Sequence, residues 1–222
     1  MARVLVFVFL VVVGWACGAV GQEEQRRGWS TLQFGWVFWN MSELNQLLEA
    51  QGYPTLPESC FIWGGQNTIV LRGWNLNIAN WHGDAVAKSD EKLTKLTLTW
   101  FGGSGERALP RLPLGSFVNL TLGVGIASLT VLDHRPASFA EALSSPAGAF
   151  FTRWFFTVSP QLGVRFPLLT FKLDEPITLM LTLSAGYTLT FDNGAWDQEG
   201  RALKGPPANF NGWIVQLMVG LE

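Results

Sequence analysis

Ile177-Thr178-Leu179-Met180-Leu181-Thr182-Leu183-Ser184-Ala185-Gly186-Tyr187-Thr188-Leu189-Thr190-Phe191 is the stretch whose reading decides the fold. Every odd-numbered position is apolar, and among the even-numbered ones only Met180 is. Strict alternation with a period of two marks a strand whose two faces meet different environments; a helix would show a period near 3.6. The run is also long. A strand of a soluble domain has about 5–6 residues, whereas a tilted strand crossing hydrocarbon needs about 9–11.

The pattern recurs along the chain. In 152–166, Trp154, Phe156, Val158, Leu162, Val164 and Phe166 alternate with Arg153, Thr157, Ser159, Gln161, Gly163 and Arg165, with Phe155 and Pro160 out of step. Leu32, Phe34, Trp36 and Phe38 alternate with Thr31, Gln33 and Gly35, and Leu96, Leu98 and Trp100 with Lys95, Thr97 and Thr99. Near the end, Trp213, Val215, Leu217, Val219 and Leu221 alternate with Gln216 and Gly220. From Val118 to Ile126 the even positions are apolar, but Leu129 and Val131 are odd, so a β-bulge is expected near Ala127-Ser128. Residues 68–81 make a weaker strand, and 59–63 a short one, followed by Gly64-Gly65-Gln66-Asn67 as a predicted tight turn. The count is eight. It places the longer connections, 40–58, 132–148 and 193–211, on one side. The fold class read from this is all-β: a transmembrane, antiparallel, up-and-down β-barrel of about eight strands.

Alternation alone does not say which face is outside, because a soluble lipocalin-type barrel inverts the arrangement. The kind of polar residue favours lipid outside. The polar faces carry mostly Thr, Ser, Asn, Gln and Gly, which suit a crowded interior, rather than the Lys and Glu of a watered surface. Charged residues make up 14% of the chain and aromatics 13%, with 11 Trp; a soluble domain averages about 25% charged. A soluble barrel or sandwich remains the alternative.

The N-terminus reads as an export leader. Arg3 precedes the apolar run Val4-Leu5-Val6-Phe7-Val8-Phe9-Leu10-Val11-Val12-Val13, and small residues follow, ending at Ala19-Val20-Gly21. Residues 1–21 are predicted to be a cleaved signal peptide and 22–222 a single barrel domain. Removing the leader takes Arg3 and leaves a mildly acidic chain, with no basic field to hold nucleic acid. It also leaves Cys60 as a lone cysteine, read as a small buried apolar residue. One helix is expected in the first long loop: Ser42-Glu43-Leu44-Asn45-Gln46-Leu47-Leu48-Glu49-Ala50 follows Asn40 and stops before Gly52 and Pro54. A second, shorter one is expected at 137–143.

Long alternating strands, aromatics near their ends, an export leader and a strand reaching the C-terminus together resemble the small outer-membrane barrels of the OmpA, OmpX and OmpW type. The resemblance is one of pattern over 29–222, and it departs at the end, where Val219-Gly220-Leu221-Glu222 replaces the usual terminal aromatic. It implies the bacterial outer membrane as location, with its lipid and the barrel-assembly machinery as partners.

Chemistry is sparse. No His/Cys spacing for a metal, no phosphate loop and no nucleophile elbow occurs, so no cofactor, metal or catalytic residue is expected. His134 near Ser138 is the nearest approach to a rim hydrolase and reads as a solvated loop histidine. The expected lumen-lining residues are Arg153, Arg165, Lys95, Gln161, Gln33 and Gln216. The expected function is non-enzymatic: a structural or adhesive barrel, or one handling small apolar molecules. A narrow solute or anion channel and a membrane-rim lipid enzyme are the alternatives.

Overall fold

The computed structural model describes residues 28–133, 148–172, 176–192, 194–205 and 209–221. The leader, the second helix and the His134–Ser138 pair lie outside them. Ten strands form one antiparallel sheet: β1 (Gly28–Asn40), β2 (Ser59–Leu71), β3 (Trp74–Lys88), β4 (Leu93–Ala108), β5 (Phe117–Leu132), β6 (Gly148–Phe171), β7 (Ile177–Asp192), β8 (Ala195–Gln198), β9 (Arg201–Lys204) and β10 (Asn209–Leu221). One helix, α1 (Ser42–Ala50), stands between β1 and β2. The eight long strands close into a ring in the order β5-β4-β3-β2-β1-β10-β7-β6, with β6 pairing back onto β5. The short hairpin β8–β9 hangs on the end of β6. The end carrying α1 and this hairpin is called upper here; the lower end carries the strand ends Gly28 and Leu221.

Helix α1 matches the expected range. The Asn40 side chain accepts from the Ser42 N–H at 3.0 Å. Gly52, at φ 71, ends the helix by turning its N–H back to the Glu49 carbonyl. Leu44 and Leu48 are its buried face, each contributing about 1.5–3 kcal/mol. Asn45 clamps the returning chain with two hydrogen bonds to the Leu56 backbone, at 2.8 and 2.9 Å.

Three readings of the sequence are corrected. First, Gly64-Gly65-Gln66-Asn67 is not a turn. It is the middle of β2, paired on both sides. A Cβ on Gly64 would lie 1.9 Å from the Asn80 carbonyl oxygen, so the glycine serves a close approach of β3. The chain reverses instead at Arg72-Gly73, with φ 49 and 78, the two positive angles of a tight hairpin turn. Second, β5 has no bulge: its register on β4 and β6 runs unbroken. What changes along it is composition. Asn119 and Thr121 share the inner face with Ala127, Leu129 and Val131, while the outer face passes from Val118 and Leu120 to Ser128 and Thr130. Third, Leu96, Leu98 and Trp100 point inward and are almost fully buried, so Lys95, Thr97 and Thr99 lie on the outer wall.

The last two corrections have one cause. The barrel has two tiers. In the lower tier the wall is apolar outside and polar inside. In the upper tier, on β3 to β5, it is polar outside and apolar inside, around a core that includes Val37, Ile62, Leu96, Leu98, Leu129 and Phe155. The irregularities that do occur are elsewhere. Register shifts at Trp39/Asn40 between β1 and β10, and at Pro167/Leu169 between β6 and β7. The β6–β7 ladder also skips Pro160, which has no N–H to give.

Trp100 marks the boundary between tiers. Its indole lies across Gly102 and Gly123, where a Cβ would meet ring atoms at 2.4 and 2.2 Å. It stacks on Trp81 at 5.6 Å and donates to Thr157 Oγ1 at 2.8 Å. Gly123→Val is expected to unseat this indole, lowering stability by about 2 kcal/mol or more. Circular dichroism should then lose the exciton feature of the stacked Trp81–Trp100 pair. Its survival would show that Trp100 is not held by these glycines.

Candidate functional site

Polar groups converge in the barrel interior, which divides into three levels. At the lower mouth, Arg165 donates from Nη2 to both Glu106 oxygens at 2.9 Å. Asn75 Nδ2 donates to Glu106 Oε1 at 2.6 Å, and Arg165 Nε to Thr182 Oγ1 at 3.4 Å. The guanidinium carbon lies over the rings of both Trp29 and Phe117, 5.0 and 5.3 Å from their centroids. A largely buried charge needs partners to replace its water, and here a carboxylate and two aromatic rings do so.

Above the pair lies a ring of uncharged groups. Thr68 Oγ1 donates to Asn77 Oδ1 at 2.7 Å, and Asn77 Nδ2 to Ser104 Oγ at 2.9 Å. Ser159 Oγ and Thr188 Oγ1 are 2.5 Å apart. Gln33, Gln161 and Gln216 also face this level, with Ser184 Oγ 3.4 Å from both Gln161 Oε1 and Gln216 Oε1. The space left between them is about 30 Å³, enough for about two water molecules. Buried Gln33 Oε1 and Asn119 Oδ1 have no protein partner, as expected of groups that bond to such waters.

Trp81 and Trp100 form the ceiling, and the apolar core of the upper tier fills the barrel above them. Arg153 is set into that core, 1% exposed. It hydrogen-bonds the Asp192 carboxylate and lies 5.6 Å from the Trp196 ring on β8. Tyr53 fastens the loop after α1 to the end of β5 by donating to Asp133 Oδ1 at 2.5 Å, and this hydrogen bond raises its phenol above the usual range.

Five of the six residues read as lumen-lining, Gln33, Arg153, Gln161, Arg165 and Gln216, therefore point inward, and Lys95 does not. The two arginines are at opposite ends and share no site. Their partners Glu106 and Asp192 were missed, although each continues the polar phase of its own strand, Glu106 after Gly102 and Ser104, Asp192 after Thr188 and Thr190. Extending the alternation to the strand ends would have found both.

Lys95 belongs to a cluster on the outer wall. Its Nζ lies 3.1 Å from Asp84 Oδ2, and Thr97 Oγ1 donates to Asp84 Oδ1 at 2.6 Å. His82 Nδ1 is 3.2 Å from Thr99 Oγ1, while its Nε2 is 3.9 Å from Asp84 Oδ1. Hydroxyl, imidazole and carboxylate stand in the order of a nucleophilic triad. The His–Asp separation is too long for an orienting hydrogen bond, and the surrounding backbone donors are spent in the β3–β4 ladder, leaving none for an oxyanion. Among the described residues no group of His, Cys, Asp and Glu could hold a metal. No family model matches the chain, and no curated protein matches it.

Arg153→Met should leave Asp192 without its guanidinium and lower stability by about 3 kcal/mol, whereas Arg153→Met with Asp192→Asn should regain part of that loss. Urea unfolding of the refolded protein measures both. Equal losses in the single and the double variant would show that the pair is not what holds the upper end of β6.

Proposed function

We propose that the protein spans a lipid bilayer with its lower tier, in the manner of an outer-membrane barrel, and acts as a closed anchor presenting the helix-capped upper tier. The observation that carries this reading is the exposed outer wall. Leu32, Phe34, Trp36, Phe38, Leu162 and Trp213 stand out from it with more than a third of their surface uncovered. Water is a poor environment for so continuous an apolar surface, and lipid is a good one. Its upper rim carries Trp36, Phe61, Trp63, Trp154 and Trp213, as an interfacial belt would, and the His82–Asp84–Lys95 cluster beside Trp63 suits a headgroup layer.

The filled interior favours a structural or adhesive role. A void of about 30 Å³ under a tryptophan ceiling and an apolar core gives ions no continuous path. Arg153 is 1% exposed and paired with Asp192, so it offers no site on an open path through the barrel. Lipid and the assembly machinery of the outer membrane are the partners this reading requires.

Substitutions at two exposed positions test it. Arg at Leu183, mid-wall on β7, should cost about 2–4 kcal/mol in a bilayer and block refolding into vesicles. Arg at Thr130, on the outer face of the upper tier, should be tolerated. A protein standing in water would accept both, and that result would overturn the reading. The refolded wild-type chain should also give no conductance steps in planar bilayers; regular steps would make it a channel.

A further inference from the structure

The lower mouth holds a larger space than the central void. A cleft of about 360 Å³ opens there against the 109–116 loop, within the roughly 300–1,000 Å³ of small-molecule sites. Its make-up also fits: Phe117, Met180 and Leu114 give an apolar wall, and Arg165, Glu106 and Asn75 a polar end.

The polar end is unbalanced in one direction. Glu106 accepts from Arg165 with both oxygens and from Asn75 as well. Arg165 spends Nη2 on Glu106 and Nε on Thr182, and among the described residues nothing accepts from Nη1. Trp29 and Phe117 crowd the guanidinium at 5.0 and 5.3 Å, and its free hydrogen-bonding group is Nη1. The cleft therefore offers a charged donor, Arg165 Nη1, with no partner of its own among the described residues.

The loop at its rim is held in an unfavourable conformation. Leu114 has φ 61, a region that favours glycine, and is followed by Gly115 at φ 57. The Arg165 N–H bonds the Leu114 carbonyl at 3.2 Å, and a Cβ on Gly115 would lie 2.8 Å from the Arg165 carbonyl oxygen. The result is a leucine side chain, 61% exposed, standing at the cleft edge beside the one guanidinium. Strain of this kind gathers at ligand sites.

We propose that this cleft binds a single-chain amphiphile with an anionic, hydrogen-bond-accepting head, of the fatty-carboxylate class. The head bonds Arg165 Nη1, and the chain lies along Phe117, Met180 and Leu114. The site opens at the mouth and does not depend on what surrounds the outer wall, so it stands or falls apart from the membrane reading.

The test uses the full refolded chain, in nanodiscs and in lipid-free buffer, and a diazirine-bearing fatty acid, with cross-links mapped by mass spectrometry and competed by octanoate or methyl octanoate. Cross-links are expected at Phe117, Met180 or Leu114, competed by octanoate and not by the ester. Arg165→Gln should weaken octanoate competition about tenfold or more, the weight of one charge-assisted hydrogen bond. Glu106→Gln, which frees the guanidinium, should strengthen it. Opposite changes from the two halves of one ion pair distinguish head recognition from damage to the fold. Met180→Trp fills the cleft without touching the pair and should abolish labelling there. Labelling confined to the outer wall, equal competition by the ester, or weakening by both Arg165→Gln and Glu106→Gln would overturn the proposal.

Discussion

The closing ladder between β5 and β6 is the constraint on which the rest depends. It runs without a break from Phe117 opposite Gly163 to Leu132 opposite Gly148. Without it the sheet would be an open ribbon with two long edges, each a row of unpaired N–H and C=O groups. In water such edges invite aggregation; in hydrocarbon they are not tolerated. Closing eight strands also fixes the interior width, to about what side chains from all sides can fill. The lumen is filled as a consequence of strand number.

Filling it with polar side chains creates a second obligation, because a buried polar group without a partner costs more than its hydrogen bond returns. The lower tier meets it by linking neighbours across strands. Thr68, Asn77 and Ser104 form one chain over β2, β3 and β4, and Ser184 lies between Gln161 and Gln216 on β6 and β10. Charges sit only at the ends, where each arginine bridges strands: Arg165 of β6 to Glu106 of β4, and Arg153 of β6 to Asp192 of β7. A buried ion pair adds little net stability, but a shifted register would strand its charges. The pairs therefore penalise slippage of β6, which at 24 residues is the longest strand.

Alternation was legible wherever the environment across the wall was constant. The outer faces of β1, β6, β7 and β10 read correctly from sequence because they stay apolar along their length, although apolar residues such as Val37, Trp39, Phe155, Phe210 and Ile214 also enter the inner face and join the upper core. It failed on β4 and β5, where the chemistry inverts partway along an unbroken strand, so that an inversion of environment looked like a slip of register. Lys95 was misplaced for this reason: Leu96 and Leu98 resemble a lipid face and are a core. Gly64-Gly65 misled differently, since a glycine needed for close backbone approach has the same letter as one needed for a turn. The cleft at Arg165 was invisible, as it joins residues from β3, β4, β5, β6 and β7 with a loop.

The open upper end of the ring explains why the barrel carries a helix at all. β1, β2 and β10 have 13 residues each, β4 and β5 have 16, and β6 has more. The upper inner faces of the long strands, with Leu96, Leu98, Leu129, Val131 and Phe155, pack in one cluster with Val37 and Trp39 of β1, Cys60 and Ile62 of β2, and Phe210 and Ile214 of β10. A ring of strands covers such a cluster from the sides and not from above, and apolar surface left open to water there would lose about 25 cal/mol for each Å² uncovered. The two inserts between short or ending strands supply what is missing. Helix α1, between β1 and β2, brings Leu44 and Leu48, and the β8–β9 hairpin, between β7 and β10, brings Trp196; all three join the same buried cluster. The inserts thus cap the upper tier, covering a cluster that the strands surround but cannot close over.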